Sequence, residues 1–109
     1  MIEIYKKVAN NYIEWHRKDN NLLHREDGPA VEYADGTKQW CQNGKFHRID
    51  GPAIECPNGT KAWYQNGKYH RTDGPAIEYW NGEKLYCLNG KHYPDIKTDE
   101  EWSIFQIIN

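Results

Sequence analysis

Apolar and polar positions alternate along this chain in short bursts, and the bursts recur at a fixed step. Val31-Glu32, Ile54-Glu55 and Ile77-Glu78 are equivalent pairs, and Trp40, Trp63 and Tyr86 follow each at the same distance. The step is 23 residues, plainest in His47-Arg48-Ile49-Asp50-Gly51-Pro52-Ala53 and its copy His70-Arg71-Thr72-Asp73-Gly74-Pro75-Ala76. An earlier copy opens at His24-Arg25-Glu26-Asp27. A period of this size marks a repeat array. Each repeat holds two turn signals: Asp35-Gly36 and Asn43-Gly44, then Asn58-Gly59 and Asn66-Gly67, then Asn81-Gly82 and Asn89-Gly90. Asn-Gly and Asp-Gly admit the positive φ angles of two-residue hairpin turns. The pattern predicts a mainly β protein, an antiparallel β-hairpin repeat that runs as a meander or coils into a solenoid.

Two-residue loops throughout would set the register. Val31 then faces Trp40 and Glu32 faces Gln39 across the first turn, while Cys41 faces Phe46 and Trp40 faces His47 across the second. The row Val31–Trp40–His47, with Ile54–Trp63–His70 and Ile77–Tyr86–Tyr93, is the most regularly apolar and is the expected core face. In the Asp-Gly-Pro corner, proline fixes φ and the glycine is expected at angles closed to other residues, with the aspartate bonding nearby amides.

The ends of the array depart from the pattern, as ends lacking a neighbour do. Residues 1–22 read as a degenerate N-terminal repeat with a strand at 12–17, followed by regular repeats over 23–45, 46–68 and 69–91, all within one domain, 1–109. From Trp15 to His24 is nine residues instead of the seven from Trp40 to His47, so the first hairpin carries two extra loop residues. Residues 94–109 form the C-terminal cap. There Thr98-Asp99-Glu100-Glu101 matches a capping box and predicts a helix over about 99–107. Trp102, Phe105 and Ile108 would share its inner face, docking it as a lid over an otherwise open sheet edge.

Composition narrows the functional classes. Five Trp and eight Tyr in 109 residues supply large buried area to a thin core, although only 38% of the chain is hydrophobic. The formal charge of −2, from 14 basic and 16 acidic residues, argues against the broad basic footprint of a nucleic-acid binder. Three cysteines, odd in number and without a close pair, point to a reducing compartment and a cytoplasmic location. No leader-like or membrane-spanning run is read from the sequence.

The recurring histidines invite a metal reading. Successive copies would sit roughly 10–15 Å apart if each repeat adds two or three strands, too far to share one ion. Each histidine is instead expected to stack on the facing tryptophan and bond a backbone group. Arg48 and Asp50, with their copies, are expected to form a structural network with Glu55 and its equivalents. Cys41 and Cys87 lack the partners of an activated nucleophile, and the glycines lack the strand–loop–helix context of a phosphate site. Neither enzyme activity, cofactor nor metal is expected.

Positions that differ between copies are released from scaffold duty and are the candidate partner-binding set: Phe46, Tyr64, Tyr69, Trp80, Leu85 and Leu88, with His92 beside them. Trp80 flanks a hairpin turn where the other copies have Ala34 and Pro57. It either stands exposed as a binding anchor or folds beneath the C-terminal helix against Trp102.

Tandem His-Arg-x-Asp-Gly-Pro-Ala units with interleaved Asn-Gly-Lys resemble short repeat proteins of bacteriophages, large DNA viruses and some bacteria, over residues 23–91. The period and the Trp-x-x-Asn-Gly-Lys phrase more loosely resemble the MORN repeat, with Arg and Asp-Gly-Pro standing where that family has glycines. The resemblance implies a non-catalytic scaffold that binds a host protein, in the host cytosol, as a phage-encoded inhibitor of a defence system such as CRISPR would. Two other readings stand beside it. One is a single-stranded nucleic-acid binder that stacks bases on Tyr64, Tyr69 and Trp80 beside Lys61, Lys68 and Arg71. The other is a structural protein that self-associates through its sheet edge.

Overall fold

The computed structural model describes residues 2–109. The chain opens with the hairpin β1 (Ile4–Val8) and β2 (Tyr12–Arg17). The first regular repeat supplies β3 (Val31–Tyr33), β4 (Lys38–Gln39), β5 (Cys41–Gln42) and β6 (Lys45–Phe46). The next supplies β7 (Ile54–Glu55), β8 (Lys61–Ala62), β9 (Tyr64–Gln65) and β10 (Lys68–Tyr69). The last supplies β11 (Ile77–Glu78), β12 (Lys84–Leu85), β13 (Cys87–Leu88) and β14 (Lys91–His92), before α1 (Asp99–Ile108). The protein is thus an antiparallel hairpin meander with one C-terminal helix, as the repeats predict.

Each repeat contributes one hairpin to a large sheet and one to a second layer of pairing. The large sheet has eight strands in the order β1-β2-β3-β4-β7-β8-β11-β12. The hairpins β5-β6, β9-β10 and β13-β14 pair separately. Backbone bonds also tie each of these to the next, Gly67 N–H to Phe46 O at 2.9 Å and Gly90 N–H to Tyr69 O at 2.8 Å. The crossing point is the recurring aromatic. Trp40 donates its N–H to Ala53 O in the large sheet at 2.7 Å, and its carbonyl accepts from His47 N–H in the second hairpin at 3.0 Å. Trp63 repeats both bonds, with Ala76 O and His70 N–H, and the Tyr86 carbonyl accepts from Tyr93 N–H, so in each repeat the chain passes from the large sheet to a separate hairpin at this residue.

The turn following each Val/Ile-Glu strand corrects the expected register. Tyr33 N–H bonds Thr37 O, which makes Ala34-Asp35-Gly36 a three-residue loop with glycine alone at positive φ, +99° at Gly36. The aspartate or asparagine is kept because its side chain accepts the N–H two residues on, as Asp35 does from Thr37 at 2.8 Å. One added loop residue moves every pairing by one. Val31 therefore faces Gln39, not Trp40, and Glu32 faces Lys38, not Gln39. The Asn-Gly turns are two-residue loops as read, with Asn43 and Gly44 at φ +52° and +78° and Cys41 opposite Phe46.

The corrected register sorts the large sheet cleanly. On one face lies the row Val31–Gln39–Ile54–Ala62–Ile77–Leu85. On the other, Glu32–Lys38–Glu55–Lys61–Glu78–Lys84 alternates in sign from strand to strand, the arrangement in which cross-strand neighbours attract. The expected core face is also corrected. Trp40, Trp63, His47 and His70 are only half-buried, while Ala30, Ala53 and Ala76 are wholly buried, with Val31, Cys41, Cys87 and Tyr86 beside them.

At the C-terminus Thr98 accepts the N–H of Glu101 at 3.1 Å, and the Glu101 carboxylate accepts from Lys97 N–H at 3.2 Å. Trp102 is buried at 1% exposure among Tyr86, Tyr93 and Phe105. Ile108 departs from expectation: it is 74% exposed, while Trp102 and Phe105 pack on the rings of the array. Among the described residues no helix is long and apolar enough to cross a membrane.

Candidate functional site: corners, aromatic rows and clefts

The repeated His-Arg-x-Asp-Gly-Pro phrase builds one interlocked corner three times. The Arg25, Arg48 and Arg71 guanidinium groups lie 3.9, 3.8 and 3.8 Å from the ring centres of Trp15, Trp40 and Trp63, within the range of a cation–π contact. Each also donates to the aspartate two residues on, Arg48 Nε to Asp50 Oδ1 at 3.1 Å, and to the corner carbonyl, Arg48 Nη1 to Pro52 O at 3.0 Å. Arg48 and Arg71 add Glu55 and Glu78 at 2.9 and 2.7 Å. The expected network with the glutamates is present there.

Two details differ from the reading of the sequence. The corner glycines are not at positive φ. They are glycine because the arginine lies against them: a Cβ on Gly28, Gly51 or Gly74 would stand 2.9, 2.9 or 2.8 Å from the guanidinium carbon. The aspartates accept from arginine, not from nearby amides. The histidine does not cover the tryptophan either, since arginine takes that face. His24, His47 and His70 instead accept the N–H of Asn43, Asn66 and Asn89 on Nδ1, each at 3.0 Å. Each histidine thereby holds the Asn-Gly turn of the following hairpin.

The candidate partner-binding residues fall into separate groups. Phe46, Tyr64 and Tyr69 form one continuous row, with ring centres 5.1 and 4.4 Å apart, and all are half-buried. Burial, then the hydrogen bond with Tyr69, raises the Tyr64 phenol above its ordinary range. Leu85 sits half-buried in the end strand β12, and Leu88 lines a groove of about 550 Å³ with Tyr93 and Phe105. His92 is exposed in β14.

Trp80 stands apart from all of these. It is 68% exposed at the β11–β12 turn, and its N–H donates to Thr60 Oγ1 of the preceding hairpin at 3.1 Å. It is not beneath the helix, where Trp102 has Tyr86, Tyr93 and Phe105 as ring neighbours. Two further exposed aromatics were missed from sequence. Tyr33 and Tyr79 are 38% and 37% exposed at the equivalent hairpin ends, and their shared repeat position was the available signal. Two residues of the proposed basic groove are locally compensated: Lys61 lies opposite Glu55 and Glu78, and Arg71 is paired with Asp73 and Glu78.

Between successive corners the surface is hollowed. A cleft of about 690 Å³ lies between the Arg25–Pro29 and His47–Asp50 corners, over Trp40 and Gln42. Its copy one repeat on, about 450 Å³, lies between the Arg48–Gly51 and His70–Asp73 corners, over Trp63 and Gln65. No group of three or more His, Cys, Asp or Glu among the described residues is placed to hold a metal ion. No family model, no curated protein and no solved structure matches the chain.

Proposed function

We propose that this chain is a non-catalytic protein-binding repeat module whose contact face centres on Trp80. The observation that carries this reading is the exposure of that one side chain, 68%, on a backbone anchored to the neighbouring hairpin through Thr60. A rigidly held, solvent-facing tryptophan flanked by tyrosine offers large contact area at low entropic cost, which is why such residues dominate interface hot spots. The scaffold residues are engaged with one another in every copy, and Trp80 has no such duty. The resemblance of the repeats to phage and viral repeat proteins directs the search to a host protein, with defence effectors of the CRISPR kind first.

The test is affinity capture from a bacterial lysate with wild-type and Trp80→Ala bait, both shown folded by circular dichroism. A single partner held by wild type and weakened at least about 30-fold by the variant, as expected for a hot spot of about 2 kcal/mol, supports the reading. A partner retained in full moves the face elsewhere. No partner for folded wild type removes the reading.

A further inference from the structure

The charged face of the large sheet alternates in sign, and its last lysine lacks the second of its neighbours. Lys38 lies between Glu32 and Glu55, and Lys61 lies between Glu55 and Glu78. Lys84 has Glu78 on one side only, because β12 is the end strand of the sheet. The inner row shows the same gap. Gln39 is followed by Ile54 and Ala62 by Ile77, while Leu85 has no strand on its outer side. In both earlier repeats the neighbour is the same dipeptide, Ile54-Glu55 and then Ile77-Glu78.

The backbone of this edge is turned outward. Residues of an antiparallel strand bond one neighbour and then the other in alternation. Glu83 O accepts from Tyr79 N–H and Leu85 O from Ala76 N–H, each at 2.8 Å and each on the β11 side. Lys84, between them, therefore points its N–H and C=O away from the sheet. Alongside runs a groove of about 330 Å³ lined by Gly82, Glu83, Lys84, Leu85 and Lys97. The open stretch stops at Tyr86, which is wholly buried with its hydroxyl on Asp99 of α1 at 2.7 Å. An edge this short suffices in this fold, since β4 and β7 pair through two residues apiece.

We propose that β12 accepts an extended segment of a partner protein as an added antiparallel strand, with a β-branched residue beside Leu85 and an acidic residue beside Lys84. The inference rests on the reading of the chain as a protein-binding module and names the segment taken by the edge next to Trp80, whose turn leads into β12. The occupant is identified by the two homologous places that are filled, each by Ile-Glu. Charge agrees, because two lysines, Lys84 and Lys97, border the groove against the one carboxylate of Glu83. A second copy of this chain fits badly. Its own Val/Ile-Glu strands are interior to the sheet, and its other sheet edge, β1, would set Lys6-Lys7 against Lys84. Main-chain bonds supply the affinity in strand addition, and the side chains that flank them supply the selectivity.

The probe is a cyclised hairpin peptide of residues 52–62 carrying Cys56→Ser, in which the Ile54-Glu55 edge is free. It is titrated into the isotopically labelled full chain and followed by amide chemical shifts and hydrogen exchange. Saturable shifts at Glu83, Lys84 and Leu85 are expected, with slower exchange at the Lys84 amide, the mark of main-chain pairing. Lys84→Glu in the full chain should keep the fold, since the side chain is exposed. It should weaken this peptide at least about fivefold and restore binding to a peptide carrying Glu55→Lys. The proposal is overturned by no saturable shifts at about 2 mM peptide, by shifts confined to β1, or by equal binding of the two peptides to wild type. Self-association of the chain alone in light scattering, lost in Lys84→Glu, would overturn it in favour of a second copy. A partner captured from lysate and weakened by Trp80→Ala, with no peptide binding at β12, would remove this inference and leave the binding-module reading standing.

Discussion

Arg48 is held between the Trp40 ring, 3.8 Å from its guanidinium carbon, and the backbone of Gly51, where a Cβ would come within 2.9 Å of that carbon. The tryptophan, the arginine and the glycine of the repeat are thus one structural unit. Gly51→Ala forces the guanidinium off its seat, and with it the bonds to Asp50, Pro52 and Glu55. The expected cost is about 1–3 kcal/mol in chemical denaturation, the range for overpacking a fitted site. In an Arg48→Ala background the same change should cost markedly less, and equal costs in both backgrounds would contradict the account.

The turn lock of His47 gives a second test. Removing its Nδ1 in His47→Ala leaves Asn66 N–H without that acceptor. Loss of about 1–2 kcal/mol is expected, together with faster hydrogen exchange at Asn66 than at the unaltered Asn43 and Asn89. The His24 copy is only 2% exposed, so His24→Ala should cost the most of the three.

Trp102→Ala removes the buried anchor of α1 and should cost about 3–5 kcal/mol, the range for truncating a large core aromatic. Gln106→Ala loses the carboxamide bonds to Thr72 O and Trp102 O, at about 0.5–1.5 kcal/mol. Similar effects of the two would mean that the helix is held by its rim and not by the indole.

Acid should loosen the third corner through Asp73. The hydrogen bond from Arg71 holds the Asp73 carboxyl below its ordinary value of 3.8. A carboxyl depressed in the folded state contributes stability that is fully present above the unfolded value and lost as pH falls through the lower folded one. Stability should therefore fall off below pH 3.8, and Asp73→Asn should flatten that fall. The effect is small because the carboxylate is largely exposed and solvent-screened.

The thiols should separate by burial. Cys41 is 1% exposed, and burial pushes its thiol up to about 11, so the reactive thiolate is scarce at neutral pH. Cys56 is only half-buried. A thiol reagent should label Cys56 first and reach Cys41 and Cys87 only in denaturant, read by mass spectrometry. Labelling of Cys41 in the native state would mean that the two layers open readily.

By itself the sequence determined the period, the two hairpins per repeat, the Asn-Gly turns and the terminal helix. These are local matters: turn residues, capping residues and short apolar bursts act within a few positions of one another, and repetition states them three times over. It did not determine the register across the Asp35-Gly36 loop, because the same dipeptide serves two- and three-residue loops and only the paired strands select between them. Nor did it show that Arg, and not His, covers each Trp, or that the corner glycines yield room to a side chain instead of adopting rare angles. Those depend on atoms brought together from different strands. The candidate site divides in the same way. Trp80 was legible because it breaks the repeat beside a turn, and Tyr33 and Tyr79 share its hairpin ends. That Trp102 and Gln106 dock on the carbonyls of Arg71 and Thr72 has no signature in the letters, since backbone acceptors look alike in every residue and only the folded chain brings the helix to them.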